Sequence, residues 1–206
     1  MKLNFEWKND GKYHQYCAHC HAETVDRVYE DGKTFYFCST CKQRHERSIV
    51  IDPVIKWWVA DDGEYWHESE GVFIRNSEGK FLFFERLIFP FALTVPSGHV
   101  DTGEDALTAA RRETEEEVGY KADKFVDVAT EDIVGDSCRR GADAHRWHAY
   151  LLPLKKNIDV KVTEEDEGQK PTWLTLEEAL QKDLTYPVKY IINKYQDVLT
   201  SGDFPS

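Results

Sequence analysis

The sequence predicts an α+β domain built on a mixed sheet and preceded by a small zinc ribbon. Patterns typical of strands and of helices follow one another along residues 51–206 without a regular strand–helix–strand alternation, which favours α+β packing over a parallel sheet. Two Cys-x-x-Cys pairs lie within residues 1–50. We therefore expect two units, a ribbon at 1–50 and a larger domain at 51–206.

The cysteine spacing supports the ribbon. Two pairs separated by 17 residues are typical of a closed, structural Zn²⁺ site with four thiolate ligands, here Cys17, Cys20, Cys38 and Cys41. Asp31-Gly32 predicts a hairpin turn that brings the second pair back to the first. Two disulfides are the alternative, and the lack of a secretion signal disfavours them. Alternative ligands nearby are His14, His19, His21 and His45.

The fifth cysteine, Cys138, lies far from both pairs. We expect an ordinary thiol rather than a nucleophile, because nothing in the sequence marks it as activated.

Composition limits the classes of partner. The net charge is −12, but residues 1–50 carry 8 Lys/Arg against 7 Asp/Glu, leaving 18 (26 − 8) against 31 (38 − 7) in the remainder. The excess of negative charge in residues 51–206 disfavours nucleic acid, which is itself negatively charged, as a partner. No apolar run reaches the length of a membrane span, so we expect a cytoplasmic protein without membrane contact. The sequence leaves open whether the protein forms a homodimer.

One acidic helix organises the larger domain. A turn at Gly98 leads into it, and Glu113, Glu116 and Glu117 share a narrow arc at 100° per residue. Like charges at this spacing repel, so a solvated face is the plain alternative to a site for a hard divalent cation such as Mg²⁺. Thr102 and Asp105 suggest a capping box at its start, and Gly119 suits its end.

The register of this stretch resembles the Nudix box. The pattern G-x₅-E-x₇-R-E-U-x-E-E-x-G-U, in which U is a bulky apolar residue, has a chance of about 10⁻⁸ per start position at average residue frequencies, so coincidence is a poor explanation. Thr114 occupies an apolar slot as a mild departure, and Ser97 replaces a glycine of the usual approach. The fixed positions matched are Gly98, Glu104, Arg112, Glu113, Glu116, Glu117 and Gly119.

The resemblance implies an α/β/α sandwich that hydrolyses a nucleoside diphosphate linked to another group, with water attacking phosphorus. By motif position, Glu113, Glu116, Glu117 and the Gly98 carbonyl are expected to bind Mg²⁺ or Mn²⁺. Glu104 and Arg112 are expected to pair and to hold the loop against the helix. For the general base the resemblance suggests a glutamate outside the box, with the acidic run Glu164, Glu165, Asp166 and Glu167 as candidates.

Residues outside the box are expected to contact the substrate. Arg86, Arg139 and Arg140 are candidates for phosphate binding. A base could stack on an aromatic side chain, although we expect most of these to belong to the core. The candidates are Trp57, Trp58, Phe89, Phe91 and Trp147.

The ribbon in front of the box resembles NADH pyrophosphatases. Those members carry a proline-containing array after the box, whereas residues 121–150 hold no proline. The sequence therefore predicts the reaction but leaves the substrate among ADP-ribose, NADH and nucleotide sugars. Two other functions stay open, namely a nucleotide-sensing module and RNA 5′-end processing with the ribbon as partner-binding element.

Overall fold

A computed structural model describes residues 1–155, 158, 160 and 168–201. Five short strands make up the ribbon and its connector: β1 His14–Cys17, β2 Val25–Glu30, β3 Lys33–Cys38, β4 Gln43–His45 and β5 Ser48–Ile51. β2, β3 and β4 form an antiparallel sheet, and β1 pairs with β5. The predicted turn at Asp31-Gly32 joins β2 to β3, and both residues have positive φ, at 50° and 73°.

The main sheet contains eight strands among the described residues. Its central order is β11-β12-β7-β8-β13, while β6 and β10 pair with β7, and β9 pairs with β8. β7 and β12 are parallel and the other pairs antiparallel, so the sheet is mixed as predicted. The strands are β6 Trp57–Val59, β7 Tyr65–Arg75, β8 Phe81–Arg86, β9 Leu93–Thr94, β10 Ser97–His99, β11 Val126–Val134, β12 Ala144–Pro153 and β13 Gly168–Leu174.

Helices cover both faces of this sheet, which confirms the sandwich. Successive side chains of a strand point to opposite faces. On β7, Val72 and Ile74 pack toward helix α1 (Ala106–Val118), whereas Phe73 packs toward α2 (Leu176–Leu180) and α3 (Tyr186–Ser201). Two buried layers therefore hold the sheet between helices.

Helix α1 ends as predicted and begins differently. Gly119 adopts φ 70° at the C-cap. The N-cap is Asp105, whose carboxylate accepts a hydrogen bond from the Thr108 amide at 2.8 Å, so the predicted capping box from Thr102 is wrong. The Thr102 hydroxyl instead donates to the carbonyls of Pro53 and Ile55. Thr114 is fully buried, and its hydroxyl donates to the Ala110 carbonyl at 2.6 Å, which explains why a hydroxyl is tolerated in the apolar slot.

The ribbon packs against the loop between β8 and β9. The Thr34 amide donates to the Leu87 carbonyl at 2.9 Å, and the rings of Phe35 and Phe91 are 5.5 Å apart. Arg47, which follows β4, pairs with Asp143 at 2.5 Å. These contacts tie the ribbon to the main sheet at two places. No helix within the described ranges is long and apolar enough to cross a bilayer.

Candidate active site

Arg112 is the hub of the acidic helix. Its guanidinium donates to Glu104 at 2.7 Å, Glu113 at 2.6 Å and Glu116 at 3.3 Å, and to the His99 carbonyl at 3.2 Å. Burial opposes its charge, but Glu104 and Glu113 more than offset this and raise the pKa of Arg112. The arginine therefore stays charged and fixes two carboxylates of the helix relative to the strand β10.

The turn before α1 is held by carboxylates. The Ser97 amide donates to Glu117 and the Gly98 amide donates to Glu70, both at 2.9 Å. A Cβ on Gly98 would lie 2.0 Å from a carboxylate oxygen of Glu113, so a side chain at this position would displace that carboxylate. The glycine of the motif thus packs a carboxylate directly against the turn.

Glu70 was missed by the sequence reasoning. It is fully buried on β7, and its Oε2 has no hydrogen-bond partner. Burial, followed by the charges of Glu113 and Glu117, holds the pKa of Glu70 well above its ordinary value. Nothing in the sequence around Glu70 marks it, because Gly98, Glu113 and Glu117 belong to other elements.

A cleft of about 310 Å³ opens over these groups. Glu70, Gly98, Glu113, Glu116 and Glu117 line one part of it, whereas Glu104 does not line it and acts from behind through Arg112. The side chains of Glu70, Glu113, Glu116 and Glu117 therefore all line the same cleft.

The predicted arginines border the same cleft. Arg86 donates to the Phe89 carbonyl at 3.3 Å, and Arg140 pairs with Asp52 at 2.5 Å. Arg139 lines the cleft beside them. The cleft is thus lined by positive as well as negative side chains.

Of the predicted aromatic candidates, Trp147 lines the cleft but is 3% exposed and belongs to the core. Trp58 stacks on Trp66 at 5.6 Å. The candidate general bases Glu164, Glu165, Asp166 and Glu167 lie outside the described residues.

The four ribbon cysteines converge, and their ligand atoms all lie within 4.8 Å of one another. Cys17 and Cys41 are 3.8 Å apart at sulfur, and Cys20 and Cys38 are 3.6 Å apart. Two thiolates on one tetrahedral Zn²⁺ are about 3.8 Å apart, because the Zn–S bond is about 2.3 Å. Within the part of the chain that the structure describes, all five cysteines are free, so the disulfide alternative does not match.

A second cluster of candidate metal ligands, spaced as closely as the ribbon cysteines, lies beside the cleft. It contains His67, His99, Cys138 and His145, whose ligand atoms also fall within 4.8 Å of one another. Cys138, expected to be an ordinary thiol, thus lies among three imidazoles. Sequence reasoning missed this grouping, because its members come from four separate segments with no common spacing.

Comparisons with known proteins cover the larger domain. Residues 66–195 match the NUDIX domain. The asymmetrical bis(5′-nucleosyl)-tetraphosphatase of Rattus norvegicus is 37% identical over 93 residues, which are 43% of this chain and 58% of the relative. Nudix hydrolase 26, chloroplastic, of Arabidopsis thaliana is 28% identical over 115 residues, 55% of this chain and 46% of the relative. This chain therefore spans about half the length of these two relatives.

Among solved structures, the MutT NUDIX hydrolase from Burkholderia pseudomallei aligns with a TM-score of 0.52. Its sequence is 23% identical, and the alignment covers 64% of this chain and 98% of that chain. At this identity the likeness supports the fold of the larger domain.

Proposed function

Because the chain belongs to the NUDIX domain family, we propose that it hydrolyses a pyrophosphate bond in a nucleotide derivative with the help of Mg²⁺ or Mn²⁺. The single observation that carries this proposal is the crowd of Glu70, Glu113, Glu116 and Glu117 around Gly98 in one cleft. The family match includes the glutamates of the helix, and the side-chain placement adds Glu70 from β7.

The described residues fit a hard divalent cation. One carboxylate oxygen of Glu70 is buried without a hydrogen-bond partner, and the negative charges of Glu113 and Glu117 repel this carboxylate. Burying several carboxylates together is unfavourable unless positive charge compensates them, and Arg112 supplies only one such charge. Oxygen ligands are those that Mg²⁺ and Mn²⁺ prefer. We propose Glu113, Glu116, Glu117 and the Gly98 carbonyl as ligands, with Glu70 as a further oxygen donor.

Other residues of the chain would position the cation ligands and bind the phosphates. Arg112 holds Glu113 and Glu116 through hydrogen bonds of 2.6 and 3.3 Å, and Glu104 holds Arg112 in turn. Arg86 and Arg139 border the cleft, where they are placed to bind substrate phosphates and to orient them. When bound, the cations neutralise the diphosphate and activate water.

The ribbon is proposed to hold a structural Zn²⁺. Four thiolates leave no coordination position for water, so this metal would stabilise the fold rather than take part in hydrolysis. A unit of about 50 residues gains much of its stability from such a metal. Through Thr34 and Phe35, the ribbon supports the loop that carries Ile88 and Pro90 into the wall of the cleft.

For the substrate we propose a dinucleoside polyphosphate or a related nucleoside diphosphate derivative. The relative from Rattus norvegicus is named for cleaving a bis(5′-nucleosyl) tetraphosphate. ADP-ribose, NADH and nucleotide sugars remain in the same chemical class. A long phosphate chain suits a cleft that is lined both by carboxylates for cations and by arginines.

A substrate panel tests this proposal. Purified full-length protein is incubated with diadenosine tetraphosphate, ADP-ribose, NADH, a nucleotide sugar and triphosphorylated RNA, each with Mg²⁺, with Mn²⁺ and without added divalent cation. The proposal predicts turnover of at least one small nucleotide that requires the added cation. Turnover of RNA alone would replace the proposed substrate class, and no turnover with tight nucleotide binding would favour a sensor.

A further inference from the structure

The second cluster arises directly from the register of three strands. β7 and β12 are parallel neighbours with His67 opposite His145, and β10 is antiparallel to β7 with His99 opposite Ser69. Directly opposed residues share a face of the sheet, and so do residues two apart on one strand. The three imidazoles therefore converge on one face, while Cys138 reaches them from the loop between β11 and β12.

The spacing of the ligand atoms matches a tetrahedral metal site. His67 Nδ1 lies 3.1 Å from His99 Nε2 and 3.6 Å from the Cys138 sulfur. With Zn–N bonds of about 2.0–2.1 Å and a Zn–S bond of about 2.3 Å, a tetrahedron gives about 3.3 Å between nitrogens and about 3.6 Å between nitrogen and sulfur. A tetrahedral zinc also accounts for the distances between cysteine sulfurs in the ribbon, which are 3.8 and 3.6 Å.

The surroundings also resemble those of a bound metal. His67 is fully buried and His145 is 2% exposed. His145 Nδ1 lies 3.0 Å from the Asp136 carbonyl and 3.1 Å from its carboxylate, which leaves Nε2 for the cluster. An outer carboxylate on the second ring nitrogen is the usual support of a metal-bound histidine.

We propose that His67, His99, Cys138 and His145 bind a second structural transition-metal ion, with Zn²⁺ as the expected occupant. Three imidazoles and one thiolate are ligands of the borderline kind that zinc takes, unlike the all-oxygen set proposed for the catalytic cations. Four protein ligands close the site, so its metal would not activate water.

This metal would join the catalytic turn to the sheet. His99 directly follows Gly98, and its carbonyl accepts a hydrogen bond from Arg112 at 3.2 Å. Cys138 precedes Arg139, which lines the cleft. One ion would thus fix both the turn at the carboxylates and the loop with the phosphate-facing arginine against β7.

The test is metal content, which does not depend on hydrolysis. Elemental analysis for all first-row transition metals is performed on folded full-length protein, after removal of loosely bound ions. We expect two zinc ions per chain in the wild type, one in Cys38→Ala and one in Cys138→Ala. The matched control is Ser137→Ala, which removes a neighbouring hydroxyl bonded to Asp143 and should keep two.

The Cys38→Ala variant keeps the test decisive even where Cys138→Ala fails to fold, because it removes the ribbon metal while leaving the second cluster intact. Cobalt substitution gives an independent reading, since the Co²⁺ retained by Cys38→Ala should show a spectrum with one thiolate ligand. A second equivalent of another transition metal that depends on Cys138 would support the site and reassign its occupant. One zinc in the wild type and none in Cys38→Ala would overturn the proposal and leave a hydrogen-bonded cluster.

Discussion

Gly98→Ala tests whether close packing of the turn against α1 sets the position of the Glu113 carboxylate, a proposed cation ligand. The added Cβ would lie 2.0 Å from an oxygen of Glu113, whereas ordinary contacts begin at 3.4 Å. The carboxylate must therefore move by about 1.4 Å (3.4 − 2.0). A misplacement of about 1 Å lowers rates by about 10²-fold, so we expect kcat/KM to fall by about that factor.

Stability should change little, because the displaced atoms are the end of a flexible side chain rather than backbone. The assay is steady-state hydrolysis of the substrate found by the panel, together with thermal unfolding. Gly71→Ala is the contrasting control, since its Cβ would meet the buried Trp147 ring at 2.3 Å and should instead destabilise the fold. A Gly98→Ala enzyme within about threefold of wild-type kcat/KM would refute the reasoning.

A double-mutant cycle sharpens this prediction. In a Glu113→Ala background, the carboxylate that Gly98→Ala displaces is absent, so the second substitution should add little. Independent, multiplying effects of the two changes would show that alanine acts through something other than Glu113.

Three further predictions concern neighbouring contacts. Glu70→Gln should keep the fold and reduce Mg²⁺-dependent turnover by at least about 10-fold, because a neutral amide is a weaker cation ligand; unchanged turnover would remove Glu70 from the site. Glu131→Gln should cost about 1–2 kcal/mol in urea unfolding at pH 7, since Glu131 accepts from Lys194, Tyr195 and Tyr190. These bonds lower the pKa of Glu131 below its ordinary 4.5, so the difference should shrink as the pH falls through that lowered pKa; Asp132→Asn, in an exposed pair, is the control. Phe91→Ala should raise KM by about threefold to tenfold, because the ring joins Phe35 of the ribbon to the loop whose Pro90 lines the cleft; an equal change from exposed Tyr29→Ala would contradict this.

The features that sequence predicts best are those set by local geometry. The helical period alone groups Glu113, Glu116 and Glu117, and a two-residue gap brings Cys17 beside Cys20. Arg112 and Glu104 are eight residues apart, and the turn before α1 suffices to join them at 2.7 Å. Such relations need no knowledge of the sheet.

Contacts that depend on which strands pair could not be predicted from the sequence. His67 meets His145 because β7 and β12 are parallel neighbours 78 residues apart in register (145 − 67). Glu70 reaches Gly98 for the same reason, since β10 pairs with β7. Without the strand order, no partner can be identified for a histidine or glutamate in a strand. The predicted start of α1 was wrong for a related reason, because the Thr102 hydroxyl donates to the carbonyls of Pro53 and Ile55, which are distant in sequence.

The central claim is that the carboxylates on α1 bind the cations needed for hydrolysis. Glu116→Gln and Glu115→Gln are matched for this test, because both side chains are about half exposed on the same helix, at 47% and 56%, and only Glu116 lines the cleft. The most direct measurement is the rate of diadenosine tetraphosphate or panel-substrate hydrolysis by both variants across a Mg²⁺ titration. Loss of Mg²⁺-dependent turnover in Glu116→Gln alone, with both proteins folded, is the predicted result, and full activity in Glu116→Gln would contradict the account.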